Sequence, residues 1–326
     1  MANTILLMGA GQIGSRHLQG LKYIKTLTDI FVYDPSNASL QTAEKRWQEI
    51  NNDFMGRIFF LDNINSLPEK ADLVIIATDS NARLSALELV LKTVKVKFIV
   101  LEKFLFPAIK DYTYASALLN KHNITAYVNC PRRLYPHYQQ IKQLLSQDEE
   151  PFNFTFEGSN FGLASNAIHS IDLFNYFLDG KGFSLDFSSI DNKLLQSKRK
   201  KYFELAGKLI GVSEHGSLMN ICSYIDGTAK NLVTVSNSKR RYYISEKEGY
   251  YMYANDDSNW QWQRIDFTVP LQSVLSYKFA DDILQNSKCD LIAYETSAQL
   301  HLQFLHGAIP VFEKLMNKKL DSCPVS

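Results

Sequence analysis

The residues of this chain whose types and spacing suit chemistry fall into two sets, and the first is Gly9-Ala10-Gly11-Gln12-Ile13-Gly14 followed by Asp34. Gly9 can take a tight turn, Gly11 lets backbone approach a pyrophosphate with no side chain between, and Gly14 lets a helix pack close to a strand. A helix opening at Gln12 and Ile13 presents unpaired N–H groups and the positive end of its dipole to the phosphates. Asp34 closes the apolar run Ile30-Phe31-Val32-Tyr33 about twenty residues after Gly14, the offset of an acid that accepts from a ribose diol. That carboxylate would repel a 2′-phosphate, and Pro35-Ser36-Asn37 bring no arginine to offset it, so NAD is expected in preference to NADP.

The second set is Lys103, His169 and Asp172. Lys103 follows Glu102 at the carboxyl end of the apolar run 96–101, and ligands of open parallel sheets bind beyond the carboxyl ends of strands. Glu102 and Lys103 are therefore expected beside the cofactor. So are Thr78, Asp79 and Ser80 at the end of 71–78, where Asp79 also suits the start of a helix. His169 and Asp172 share one face of a mostly apolar helical stretch, 166–178, and Ser165 lies a turn earlier on that face. A lysine can polarise a substrate oxygen, and an imidazole, which titrates near neutral pH, can take its proton. Asp172 would orient the imidazole or bind a neighbouring hydroxyl.

Such residues need a strand–turn–helix–strand unit over 4–34, and the pattern supplies it. Helical spacing follows over 38–50, 81–91 and 108–121, with strands over 57–61, 71–78, 96–101 and 125–128. The expected result is α/β: a six-stranded, doubly wound parallel sheet in a dinucleotide-binding domain over 1–129. Residues 130–326 are expected to form an α+β domain for substrate and assembly. There, 187–267 reads as strand after strand, with turn signals at Asp226-Gly227, Asn237-Ser238 and Glu248-Gly249, hence a mostly antiparallel sheet. Helices over 271–285 and 294–315 finish the chain. Trp260 and Trp262 are expected on one face of a strand, which suits a sugar-stacking site, a subunit interface or simply a packed sheet face. With Tyr242, Tyr243, Tyr251 and Tyr253 they suggest an aromatic sheet face that joins subunits into a homodimer or homotetramer.

Composition agrees with this reading. The length of 326 residues suits two domains, and 45% hydrophobic residues suffice for two cores. Lys+Arg 35 against Asp+Glu 34 gives no reason to expect nucleic acid or an anionic membrane as partner. The basic run Lys198-Arg199-Lys200-Lys201 reads as a solvated loop. Cys130, Cys222, Cys289 and Cys323 show no paired spacing, which suits reduced thiols in a cytoplasm. The first apolar stretch is only a strand's length and no later run approaches a membrane span, so a soluble, unexported chain is expected. His301 and His306 lack ligand partners in the pattern, and no metal site is expected.

Gly9, Gly11 and Gly14 with Arg16-His17, Ile76-Ala77-Thr78, Glu102-Lys103, Arg132-Arg133 with Pro136, and His169 with Asp172 together resemble the Gfo/Idh/MocA family, named for glucose-fructose oxidoreductase, inositol dehydrogenase and rhizopine catabolism. The resemblance covers nearly the whole chain. It implies a nicotinamide cofactor, a sugar-like or polyol substrate oxidised at a hydroxyl or reduced at the matching ketone, and a homo-oligomer. It also implies that Lys103 and His169, from different domains, form a catalytic pair. Four positions depart from the family's pattern: Phe104 and Asp79 stand where proline is usual or frequent, and Arg83 stands where histidine is frequent. Ser165 stands where many members carry an aspartate that joins the histidine. A dinucleotide-binding sensor or regulator without turnover is the alternative on the same fold.

Overall fold

A computed structural model of the chain describes residues 2–197, 199 and 201–325; Lys198 and Lys200 of the basic run lie outside the described residues. The chain opens with β1 (Asn3–Met8), α1 (Gln12–Leu21), β2 (Thr28–Tyr33), α2 (Asn37–Gln48), β3 (Ile58–Leu61) and β4 (Lys70–Ile76). It continues through α3 (Ser80–Thr93), β5 (Lys95–Glu102), α4 (Ile109–Lys121) and β6 (Thr125–Asn129). Ile5, Leu6 and Leu7 of β1 and Leu73 through Ile76 of β4 are fully buried, as strands covered by helices on both faces must be. The six strands run parallel in the order β6-β5-β4-β1-β2-β3, with Leu7 level with both Val32 and Ile75. The order reverses at β1, and the crevice beyond its carboxyl end is where such sheets take ligands.

The second part contains α5 (Pro136–Asp148), β7 (Asn153–Ser159), α6 (Leu163–Phe177), β8 (Phe183–Asp186), β9 (Leu195–Gln196), β10 (Phe203–Glu204), β11 (Gly207–Ser213) and β12 (Leu218–Tyr224). Next come β13 (Leu232–Ser236), β14 (Arg240–Ser245), β15 (Tyr250–Asn255) and β16 (Gln263–Asp266). Eight of these strands make a sheet ordered β16-β15-β14-β13-β7-β12-β11-β8, antiparallel except for β7 beside β12. On one face Phe154 meets Phe174 and Phe177 of α6, and Tyr251 meets His137 of α5. The chain ends with α7 (Ser276–Asn286), β17 (Ile292–Ala293) and α8 (Tyr294–Met316).

The fold is thus α/β, with a Rossmann sheet and a second, mostly antiparallel sheet. Its compact units are Met1–Pro131 with Pro270–Ala298, and Arg132–Val269 with Gln299–Ser326. A single cut after residue 129 does not describe this division, because α7 and β17 join the first unit. Asp281 accepts N–H bonds from Lys25 and Thr26, Ile292 pairs antiparallel with Val128, and Gly20 leaves room for the backbone of Gln272 and Ser276. The first sheet therefore gains a seventh, antiparallel edge strand too short to show a period. Trp260 and Trp262 also differ from expectation, lying before β16 in a turn with Asn259 and Trp260 at positive φ. No described helix is long and apolar enough to cross a membrane.

Candidate functional site

In the first unit each glycine of the turn has a different steric reason. A Cβ on Gly9, at φ +97, would stand 3.0 Å from the carbonyl of Ala77, and one on Gly14 would fall 1.8 Å from the oxygen of Gly9. A Cβ on Gly11 would meet nothing within 4 Å, so that glycine faces open space. The N-terminus of α1 has no side-chain cap. Asp34 Oδ2 accepts from the Ala10 N–H at 2.8 Å and Oδ1 accepts from the Ser36 N–H at 2.8 Å. Arg46 of α2, which no pattern singled out, donates to the carbonyl and side-chain oxygens of Gln12 and to Ser15 Oγ. It adds positive charge at the first turn of α1. The open space at Gly11, the uncapped helix start and the ready carboxylate fit a dinucleotide. Gln12 and Ile13 lie on that first turn.

The strand ends beside the turn carry the other candidates. Thr78 follows β4, and its buried Oγ1 has no hydrogen-bond partner among the described residues, as a ligand-facing hydroxyl would not. Asp79 caps α3 by accepting from the Asn81 N–H. Lys103 follows β5 and is half-buried; the peptide joining it to Phe104 is cis. Glu102 turns its carboxylate into the protein, where His17 Nε2 lies 2.7 Å away and the Asn129 amide donates to the same oxygen. Burial pushes the Glu102 pKa up, yet the His17 bond and charge outweigh it and hold the group below its ordinary value. His17 Nδ1 meets Ser276 Oγ at 2.9 Å, so this buried chain ties α1, β5, β6 and α7 together. Arg83 adds a second tie. Its guanidinium donates to the carbonyls of Thr78, Phe104 and Leu105 from a site 2% exposed.

In the second unit α6 carries the remaining candidates. His169 is half-buried. Asp172 is 1% exposed and forms a two-pronged ion pair with Arg133, at 3.1 Å to Nε and 2.6 Å to Nη2. Burial raises the Asp172 pKa against the opposing pull of Arg133. With both oxygens on Arg133, Asp172 braces α6 against the segment leading into α5. Beside it Arg132 and Tyr138 both donate to Glu246. Ser165 Oγ donates to Glu204 Oε1, and its backbone N–H donates to Oε2 at 3.1 Å. Glu204 lies on the two-residue β10, where no periodic signal could have marked it. No group of three or more metal-ligating side chains occurs among the described residues.

No protein-family model matches the sequence, and no curated protein matches it at a significant level. Solved structures match over nearly the whole chain. UDP-N-acetylglucosamine 3-dehydrogenase GnnA from Acidithiobacillus ferrooxidans aligns with a TM-score of 0.72 at 12% identity, over 97% of this chain and 99% of that one. An oxidoreductase from Agrobacterium radiobacter, in complex with NAD+, L-tartaric acid and magnesium, gives 0.69 at 16% identity, over 97% of each chain. The super-repressor mutant of Gal80p from Saccharomyces cerevisiae gives 0.71 at 12% identity, again over 97% of each. These neighbours are of the Gfo/Idh/MocA type, and the fold of this chain is theirs.

Proposed function

We propose that this protein is a nicotinamide-dependent oxidoreductase that exchanges a hydride with a hydroxyl or keto carbon of a sugar, polyol or sugar derivative. The observation that carries the reading is the half-buried Lys103 at the end of β5, next in the sheet to β4 and Thr78, with β1 and its open glycine turn beyond. A bound nicotinamide would supply the redox step. Gly11 and the first turn of α1, with Gln12 and Ile13, would receive the pyrophosphate, Asp34 the ribose diol, and Thr78 the nicotinamide side. Glu102 contributes through His17 and Asn129, by fixing the strand end that carries Lys103.

Lys103 polarises the substrate oxygen and stabilises its developing negative charge, and His169 accepts the hydroxyl proton. NAD is the preferred cofactor, because the Asp34 carboxylate favours a free ribose diol over a 2′-phosphate. The aromatic open sheet face joins subunits, and the working place is the cytoplasm. Titrating the purified protein with NAD+ and a panel of sugars and polyols, while following nicotinamide absorbance, tests the reading; absorbance growth with at least one is expected. Tight NAD binding without turnover on any of them would favour the second reading, a dinucleotide-binding regulator. Ser165 in the place of an acid and the likeness to Gal80p support that second reading.

A further inference from the structure

We infer that Glu204 supplies, from β10, the negative charge that α6 lacks at Ser165, and that this carboxylate positions and stabilises His169 when the imidazole is protonated. The inference rests on the proton-acceptor role proposed for His169. Both oxygens of Glu204 engage the first turn of α6, one through Ser165 Oγ and one through the Ser165 N–H at 3.1 Å. Glu204 is 9% exposed, so its placement is specified rather than incidental. Gly162, at φ +75, makes the approach possible: a Cβ there would lie 2.9 Å from Glu204 Oε1 and 3.1 Å from Ser165 Oγ. A residue with a side chain at 162 would displace the pair.

Ser165 and His169 are four apart on one helix, which sets their Cβ atoms about 6 Å from each other on one face. A carboxylate held at Ser165 therefore acts on the imidazole over a short path through partly buried surroundings, and an opposite charge at that range favours the protonated ring. Two other titratable groups pack near this face, Cys323 beside Glu204 and Asp172 on α6 itself. The Cys323 thiol is pushed up first by burial and then by Glu204 itself, so it stays neutral, and Asp172 one turn further along α6 is matched by Arg133. In the oxidative direction the substrate hydroxyl proton passes to a ring nitrogen of His169 as the hydride leaves for the bound nicotinamide. Glu204 keeps its charge throughout and takes no proton.

The test uses the full chain and two readouts. NMR titration of the His169 ring should place its midpoint lower in Glu204→Gln than in the wild type, by about half a pH unit or more. Ser165→Asp added to Glu204→Gln should restore the midpoint by moving the carboxylate onto the helix. With a substrate that turns over, Glu204→Gln should lower kcat about tenfold or more while KM and the NAD dissociation constant hold, and the double variant should recover it. Ser165→Ala keeps the backbone contact and provides a second variant should Glu204→Gln fail to fold; it should move kcat in the same direction. An unmoved midpoint overturns the inference whatever the kinetics show. So does a lower melting temperature with kcat unchanged, which would make Glu204 a helix cap alone. A moved midpoint in a protein that turns over nothing on the panel would leave the carboxylate–imidazole pair standing and defeat the oxidoreductase reading instead.

Discussion

Asp34 is already held at the mouth of the glycine turn by one N–H on each oxygen, and each oxygen retains a lone pair for a ribose hydroxyl. On the proposed reading, removing it costs charge-assisted bonds to the ribose as well as the two N–H bonds that hold the turn. Asp34→Ala should therefore weaken NAD binding about tenfold to a hundredfold and move the NADP-to-NAD affinity ratio towards NADP, as read by calorimetry. A ratio that stays put would show that Asp34 does not choose the cofactor. On the same reading, Lys103 and His169 touch neither the pyrophosphate nor the adenosine ribose. Alanine at either should reduce turnover by about a hundred- to ten-thousandfold, with NAD affinity nearly constant. Full activity of His169→Ala with an ordinary pH profile would mean that the proton leaves by another route.

At the scale of elements, the two buried ties decide how firmly β5 presents Lys103. Arg83 joins the start of α3 to the segments after β4 and β5 through three carbonyls, and alanine would strand these buried oxygens. Urea unfolding of Arg83→Ala should show a loss of about 3 kcal/mol, with kcat falling too, and Arg83→Lys should recover only part, since a single ammonium cannot copy the planar fork. His137 on α5 packs against Tyr138 and Phe267, and its buried Nε2 has no hydrogen-bond partner among the described residues. Burial pulls its pKa down to about 4; the Glu246 charge opposes that fall and Arg132 reinforces it. Because the folded value lies below the unfolded one, the unfolded chain binds the extra proton between about pH 6.5 and 4. Stability present above that window is lost as the pH falls through it. His137→Phe should reduce the stability lost between pH 7 and 4.5 by about 2 kcal/mol in urea titrations, and an identical loss in both proteins would remove His137 from the account.

At the scale of the molecule, the second sheet leaves one face for solvent or a partner. Tyr242 and Tyr251 are buried on the face towards α5, so the aromatic patch is narrower than the sequence suggested. Val212, Leu218, Tyr224 and Tyr243 remain exposed on the other side, with the Trp262 ring edge-on to Tyr243 at 5.3 Å. Apolar area of that kind on a regular sheet favours pairing of like subunits. Light scattering at micromolar concentration should give a dimer or tetramer, and Tyr243→Asp should shift it towards the monomer. A monomeric wild type would count against assembly through this face.

The glycine turn, Asp34, the six parallel strands, the strand that leads into Lys103 and the helix that bears His169 were all legible in the sequence. Their causes are local: a backbone needing φ above zero at Gly9, apolar runs of strand length, and a 3.6-residue period along α6. Successive short strands with turn signals over 187–267 likewise marked the second, mostly antiparallel sheet. What tertiary structure decided involves residues far apart in the chain. Glu102 faces His17, Asp172 faces Arg133, and Arg83 gathers three carbonyls, pairings that no spacing encodes because each depends on which strand ends become neighbours. The return of α7 and β17 to the first unit follows from Asp281 meeting Lys25 and Thr26, again a contact across most of the chain. Glu204 reaches Ser165 from a strand too short to have a period, and only folding brings a carboxylate to the first turn of α6, where the sequence places none.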